Sequence, residues 1–256
     1  MKWKRIVVKV GTSTVCHKNG APDLRRLEKL CRTLTDLKNI GLEIILVTSG
    51  AIGVGTNKMH LSQRPESIAK RQAAAAIGQC ELMRVYDRFF MDYGCLSGQI
   101  LLTKGITEDT KGRENVIATL GALLEMEAIP IVNENDSVAT EEIVYGDNDT
   151  LSAVVAQFAN ADVLILLSDI DGLYDKDPSI DASAKLISIV KNPEDVLHMA
   201  SDSNTKLGTG GMVTKISAAK IARTQGIPTV LANGKDPGIL YDIILEDEIP
   251  GTLFEV

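Results

Sequence analysis

Lys9 stands inside an apolar run, Ile6-Val7-Val8-Lys9-Val10, and is followed at once by Gly11-Thr12-Ser13. A cation in a strand that reads as buried costs desolvation unless an anion meets it, which makes a phosphate partner a natural resolution. A strand-end lysine whose ammonium reaches solvent fits this feature equally well. A second apolar run ends in Val47-Thr48-Ser49-Gly50-Ala51-Ile52-Gly53-Val54-Gly55, three glycines directly after a strand. Glycines let backbone N–H groups approach an anion closely, although a structural turn is their commoner use. The G-x-G-x-x-G and G-x-x-x-x-G-K-[ST] spacings are both absent, so neither a dinucleotide fingerprint nor a P-loop is present.

Acids and amides crowd two further segments, Asn133-Glu134-Asn135-Asp136 at a strand's end and Gly146-Asp147-Asn148-Asp149 before a helix. Holding them together is expensive unless a cationic or metal-bearing ligand joins them, and an ammonium group would suit. A solvated acidic loop, with Asp149 as an ordinary helix cap, is the plainer reading. Leu164-Ile165-Leu166-Leu167-Ser168-Asp169 leads into Asp171-Gly172-Leu173-Tyr174, and Gly208-Thr209-Gly210-Gly211-Met212-Val213-Thr214-Lys215 runs straight into a helical pattern, Ile216 to Gln225. Backbone N–H groups at a helix start, with a lysine one turn in, make a strong phosphate site.

The elements that must carry these residues alternate. Short runs rich in Ile, Val and Leu predict strands at Arg5–Val10, Leu42–Val47, Gln99–Leu102, Ile129–Asn133, Asp162–Ser168 and Ile227–Ala232. Leu24, Leu27, Leu30, Leu34 and Leu37 recur at helical spacing between the first two, with Asp23 as N-cap and Gly41 as stop. Longer helical patterns cover Glu66–Tyr93, Arg113–Glu127 and Asp149–Ala159, whereas Tyr174–Thr209 reads as loops around small elements. Ala73–Ile77 suits either a buried helix or an interface, and a buried helix is the expectation. With no linker or repeat, one sheet should run through the chain, its functional loops at the carboxyl ends of the strands.

Composition narrows the chemistry. The 256 residues are 45% hydrophobic with a net charge of −7, enough for a sizeable core and without the cationic excess that a nucleic-acid partner requires. No apolar run approaches a membrane span of ~18 residues, and the first residues lack a signal-peptide core. His17, His60 and His198 are too scattered for a zinc cluster or a histidine triad. Cys16, Cys31, Cys80 and Cys95 form no C-x-x-C pair and read as reduced thiols of a cytoplasmic protein.

Taken together and in order, KVGTST at Lys9, VTSGAI at Val47, NEND at Asn133, GDNDTLSA at Gly146, SDIDGLYDKDP at Ser168 and GTGGMVTK at Gly208 resemble the amino acid kinase family. Within it they are most similar to the branch that phosphorylates free L-glutamate at the head of proline biosynthesis. The resemblance implies an α/β fold, a three-layer αβα sandwich with a mainly parallel central sheet. It also implies ATP and Mg2+ as cofactors and glutamate as acceptor. Lys9 and Lys215 would lie on the transferring phosphoryl group, organised by Asp149. Glutamate would meet Ser49, Asn133, Asp136 and Asn148, with Asp147 nearby, and ATP would meet Lys9, Ser168, Asp169 and the segment Thr209, Gly210, Gly211, Met212, Val213, Thr214, Lys215. No protein metal ligand is assigned. The family forms homo-oligomers, so a dimer or tetramer is expected, with proline as feedback inhibitor.

Many members continue into a C-terminal PUA domain. This sequence stops soon after Gly251-Thr252-Leu253-Phe254, so a single kinase domain over residues 1–256 without a PUA domain is the expectation. Three alternatives stand beside it: a sister kinase for acetylglutamate, aspartate, carbamate or a nucleotide; a non-catalytic amino-acid sensor; and a dinucleotide-dependent oxidoreductase, the weakest for want of the fingerprint.

Overall fold

A computed structural model describes residues 2–138, 148–178, 180–200 and 211–256. The strands are β1 (Arg5–Val10), β2 (Glu43–Val47), β3 (Ser97–Leu102), β4 (Ile129–Glu134), β5 (Val163–Ser168), β6 (Leu173–Tyr174), β7 (Leu186–Ile187), β8 (Ile189–Val190), β9 (Thr229–Asn233) and β10 (Gly251–Phe254). The helices are α1 (Thr12–Val15), α2 (Leu24–Asn39), α3 (Ala51–Lys58), α4 (Ile68–Asp92), α5 (Lys104–Glu108), α6 (Thr110–Glu125), α7 (Asn148–Phe158), α8 (Leu197–Ala200), α9 (Met212–Arg223) and α10 (Ile239–Leu245).

Eight strands form one sheet in the order β3-β4-β2-β1-β5-β9-β10-β8, and β6 pairs with β7 outside it. From β3 to β9 all neighbours are parallel, while β10 runs antiparallel to β9 and carries β8 at the far edge. Parallel strands covered on both faces need apolar side chains in both directions, which is why β1, β4 and β5 read as nearly continuous apolar runs.

The two-residue period of β1 then divides the molecule. Ile6, Val8 and Val10 pack into one core with Leu27, Leu30 and Leu34 of α2, Leu82 and Tyr86 of α4 and Ile243 of α10. Val7 points into the other, with Val116 of α6, Leu151 and Val155 of α7 and Ile216 of α9. Lys9 shares the face of Val7, and so belongs to the layer of α7 and α9.

Local signals act as expected at α2, where the Asp23 carboxylate accepts from the Arg26 N–H at 3.1 Å and Gly41 follows the helix at φ +97°. The glycine-rich segment after β2 differs from a plain turn. Gly50 makes the turn at φ +101°, and α3 begins at the next residue. A Cβ on Gly55 would lie 1.8 Å from the Ala74 carbonyl oxygen, and one on Gly78 1.8 Å from that of Ala51, so these glycines let the α3 and α4 backbones touch. Of Ala73–Ile77, Ala74 and Ala75 are buried by this contact and Ile77 is 38% exposed, so only one face of the stretch is interior.

All four cysteines are free, with Cys16, Cys31 and Cys95 buried and Cys80 exposed. No described helix is long and apolar enough to cross a membrane.

Candidate active site

Three charged side chains from three elements meet at the carboxyl end of the sheet. Lys9 lies one residue from the end of β1, between Val47 of β2 and Leu166 of β5. Asp149 is the second residue of α7 and is wholly enclosed, and Lys215 stands one turn into α9. The Lys9 ammonium donates to Asp149 Oδ1 at 2.5 Å, and that of Lys215 lies 3.4 Å from Oδ2. The Thr214 hydroxyl shares its hydrogen between Asp149 Oδ2, at 2.8 Å, and the Gly211 carbonyl, at 2.7 Å. Burial alone would push the Asp149 pKa up. The charges of Lys9 and Lys215, with the hydrogen bonds from Lys9 and Thr214, outweigh it and hold the carboxyl below its ordinary value. Asp149 therefore spends its side chain on the lysines rather than on capping its own helix.

Beside this cluster the first residue of α7 reaches over the strand ends. Asn148 Nδ2 donates its two hydrogens to the Thr48 carbonyl at 2.6 Å and Asn133 Oδ1 at 2.8 Å, with Ser49 Oγ a further 2.9 Å neighbour, drawing the ends of β2 and β4 together. Asn133 in turn donates to Gln79 Oε1 of α4 at 2.8 Å, and the Thr48 hydroxyl pairs with the buried Tyr86 hydroxyl at 2.8 Å. Asp136 takes no part in these hydrogen bonds. It lines a cleft of about 450 Å3 with Ala75 and Gln79 of α4, Gln99 of β3 and Glu134 of β4. Burial raises its pKa, against the opposing charge of Arg64. Another cleft, of about 470 Å3 among α5, α6, α7 and the end of α9, contains none of the candidate residues.

The nucleotide candidates fall on two elements. Ser168 ends β5, with its hydroxyl 3.2 Å from Asp169 Oδ1, while Gly211, Met212, Val213, Thr214 and Lys215 form the start of α9. Gly211 stands at the N-cap of α9 and has no side chain to cap it, and among the described residues no side chain accepts from the first N–H groups, the kind of helix start at which an anion binds. Asp147, Thr209 and Gly210 lie outside the described residues. Among the described residues no group of three or more His, Cys, Asp or Glu could hold a metal ion.

Sequence reading missed Gln79, Tyr86 and Thr48 as parts of this site. The available signal was Gly78, a glycine inside a helical pattern, which marks a close backbone approach beside Gln79.

Two lysines buried on one carboxylate, next to a helix start, can take up the charge of a phosphoryl group. The chain matches the sequence profile of the Amino acid kinase family over residues 4–233. It is 48% identical to the glutamate 5-kinase of Clostridium perfringens over 98% of this chain and 95% of that one. With the glutamate 5-kinase of Listeria monocytogenes serovar 1/2a the identity is 51%, over 98% of this chain and 92% of the relative. The crystal structure of UMP kinase from Bacillus anthracis superposes with a TM-score of 0.68 over 100% of this chain and 97% of that one; at 16% identity this likeness concerns the fold alone. With a profile spanning residues 4–233 and relatives about half identical along nearly the whole length, the chain belongs to the amino acid kinase family.

Proposed function

We propose that this chain transfers the γ-phosphoryl group of ATP to the γ-carboxylate of L-glutamate, giving L-glutamyl 5-phosphate and ADP, the first step of proline biosynthesis. The observation that carries the reading is the pair of lysines from β1 and α9 buried on the enclosed Asp149. The two glutamate 5-kinase relatives support glutamate as the acceptor.

In the proposed reaction a γ-carboxylate oxygen forms a bond to the γ-phosphorus while the bond to the β,γ-bridging oxygen breaks, and its electron pair leaves on ADP. A glutamate side chain of pKa about 4.3 is already ionised at neutral pH, so no general base is required. The difficulty is to bring two anions together. Lys9 and Lys215 neutralise the moving group, and Asp149 and Thr214 keep the ammonium groups aimed before the substrates arrive, so little reorganisation is left for the transition state. Ser168, Asp169 and the start of α9 hold the nucleotide. Magnesium would enter as part of the MgATP substrate.

The amino-acid end falls to Ser49, Asn133 and Asn148, with Asp136 facing the ammonium group. Proline has an α-carboxylate and a ring ammonium but no distal carboxylate, so it fits this end without reacting and acts as a feedback inhibitor. The reading includes a cytoplasmic homo-oligomer, dimeric or tetrameric.

ADP release measured with L-glutamate, N-acetylglutamate, aspartate, carbamate and UMP tests the assignment. Turnover restricted to glutamate is the expected result. A higher kcat/KM for any of the others overturns it.

A further inference from the structure

The amide groups around Asn148 form a relay whose orientation is settled at both ends by main-chain atoms. The two ends of an amide side chain are told apart only by their partners. The Glu134 N–H can only donate, and it donates to Asn133 Oδ1 at 2.9 Å. The Thr48 carbonyl can only accept, and it accepts from Asn148 Nδ2 at 2.6 Å. Asn133 Oδ1 also accepts from Asn148 Nδ2, at 2.8 Å, so Asn133 must turn its Nδ2 towards α4. Gln79 answers with Oε1 at 2.8 Å.

That arrangement has a cost. Gln79 Nε2 is buried without a hydrogen-bond partner among the described residues. A buried donor without an acceptor is destabilising, and turning the amide over would only set two NH2 groups face to face. The unpaired donor is thus retained in order to hold Asn133. The height of Gln79 is held as well, because its neighbour Gly78 leaves no room for a Cβ against Ala51 of α3.

We infer that Gln79 is a positioning residue for the amino-acid substrate, clamping the Asn133 side chain and through it holding Asn148 in place. It also lines the cleft that contains Asp136. The inference rests on the glutamate reaction proposed above, which assigns Asn148 to substrate binding.

Gln79→Met keeps the length of the side chain and removes both the acceptor and the unpaired donor. The expected result is a Tm close to that of the parent, because the unpaired Gln79 donor is exchanged for an unpaired Asn133 one, together with a KM for glutamate raised ~10-fold, equivalent to about 1.4 kcal/mol. The KM for ATP and kcat at saturating glutamate should stay within about twofold of the parent. In an Asn133→Ala background the same substitution should leave the KM for glutamate where it is, because the effect passes through Asn133. An unchanged KM for glutamate in Gln79→Met, an equal rise in both backgrounds, or both KM values moving with a lowered Tm would overturn the inference. Should Gln79→Met fail to fold, Gln79→Glu, which keeps the acceptor, decides: a parent-like KM for glutamate supports the relay and a raised one refutes it. A parent enzyme without glutamate-dependent turnover overturns the proposed function, and this inference with it, so that assay comes first.

Discussion

Replacing Asp149 by Asn keeps the shape of the side chain and removes the charge on which both lysines rest. Asp149 is fully enclosed and accepts from Lys9 at 2.5 Å, Thr214 at 2.8 Å and Lys215 at 3.4 Å. Removing one partner of a buried ion pair typically costs ~3–5 kcal/mol, because the remaining charge stays desolvated. In a chain of this size 1 kcal/mol corresponds to about 2–4 °C, so Tm should fall by roughly 6–20 °C. The depressed pKa means that the carboxylate contribution is complete above the ordinary value of 3.8 and is lost only as pH falls further, so the comparison at neutral pH sees all of it. ATP should then stabilise the variant more than the parent, since its phosphates supply the missing negative charge. Thermal melts of both proteins, with and without saturating MgATP, read the two effects together. A Tm within about 2 °C of the parent, or an equal shift on adding ATP, would refute the view that the lysines are buried for an anion.

Lys215→Ala and Lys9→Ala should each lower kcat by ~10²–10³, or roughly 2.7–4 kcal/mol, with little change in the KM for glutamate; near-normal kcat in folded variants would leave both with a structural role only. Because burial raises the Asp136 pKa above 3.8, its carboxyl gains a proton at a higher pH than a free aspartate and loses its hold on the substrate ammonium. The KM for glutamate should therefore rise as pH falls through that raised value, and Asp136→Asn should have a raised, flat profile; parallel profiles in the two proteins would exclude Asp136 from the site. Proline should raise the apparent KM for glutamate while kcat recovers at high glutamate, and a kcat that glutamate cannot restore would place the inhibitor elsewhere.

What could be read from residues alone follows the range of the interactions. β1 lies at Arg5–Val10 as expected, because a parallel strand buried on both faces announces itself in consecutive apolar residues. The Asp23 cap was legible for the same reason, since cap and helix are neighbours in the chain. The short strands β8 and β10 at one end of the sheet were not, being two and four residues long and formed through pairing with distant partners. Within the site, Lys9 was conspicuous as a charge in an apolar run, but its partner is 140 residues away. The plainer reading of Asp149, as a helix cap, does not account for its carboxylate, which accepts from two lysines and a threonine of distant elements. Thr214 stood among the nucleotide candidates, and the bonds of its hydroxyl to Asp149 and Gly211 were not legible. Gln79 was hidden in a helix of 25 residues, where a glutamine looks like any solvated polar side chain. Its role is visible only once α4 is packed against β4.

The central claim, that a γ-carboxylate oxygen attacks the γ-phosphorus of ATP, can be followed by the fate of that oxygen. L-Glutamate labelled with 18O in its γ-carboxylate is incubated with the enzyme, MgATP and hydroxylamine. Hydroxylamine attacks the acyl carbon of glutamyl 5-phosphate, so the γ-hydroxamate forms and the bridging oxygen departs with phosphate. The account predicts one hydroxamate per ADP and inorganic phosphate carrying a single 18O. Unlabelled phosphate, with ADP formed and no hydroxamate, would show that water rather than the carboxylate had attacked.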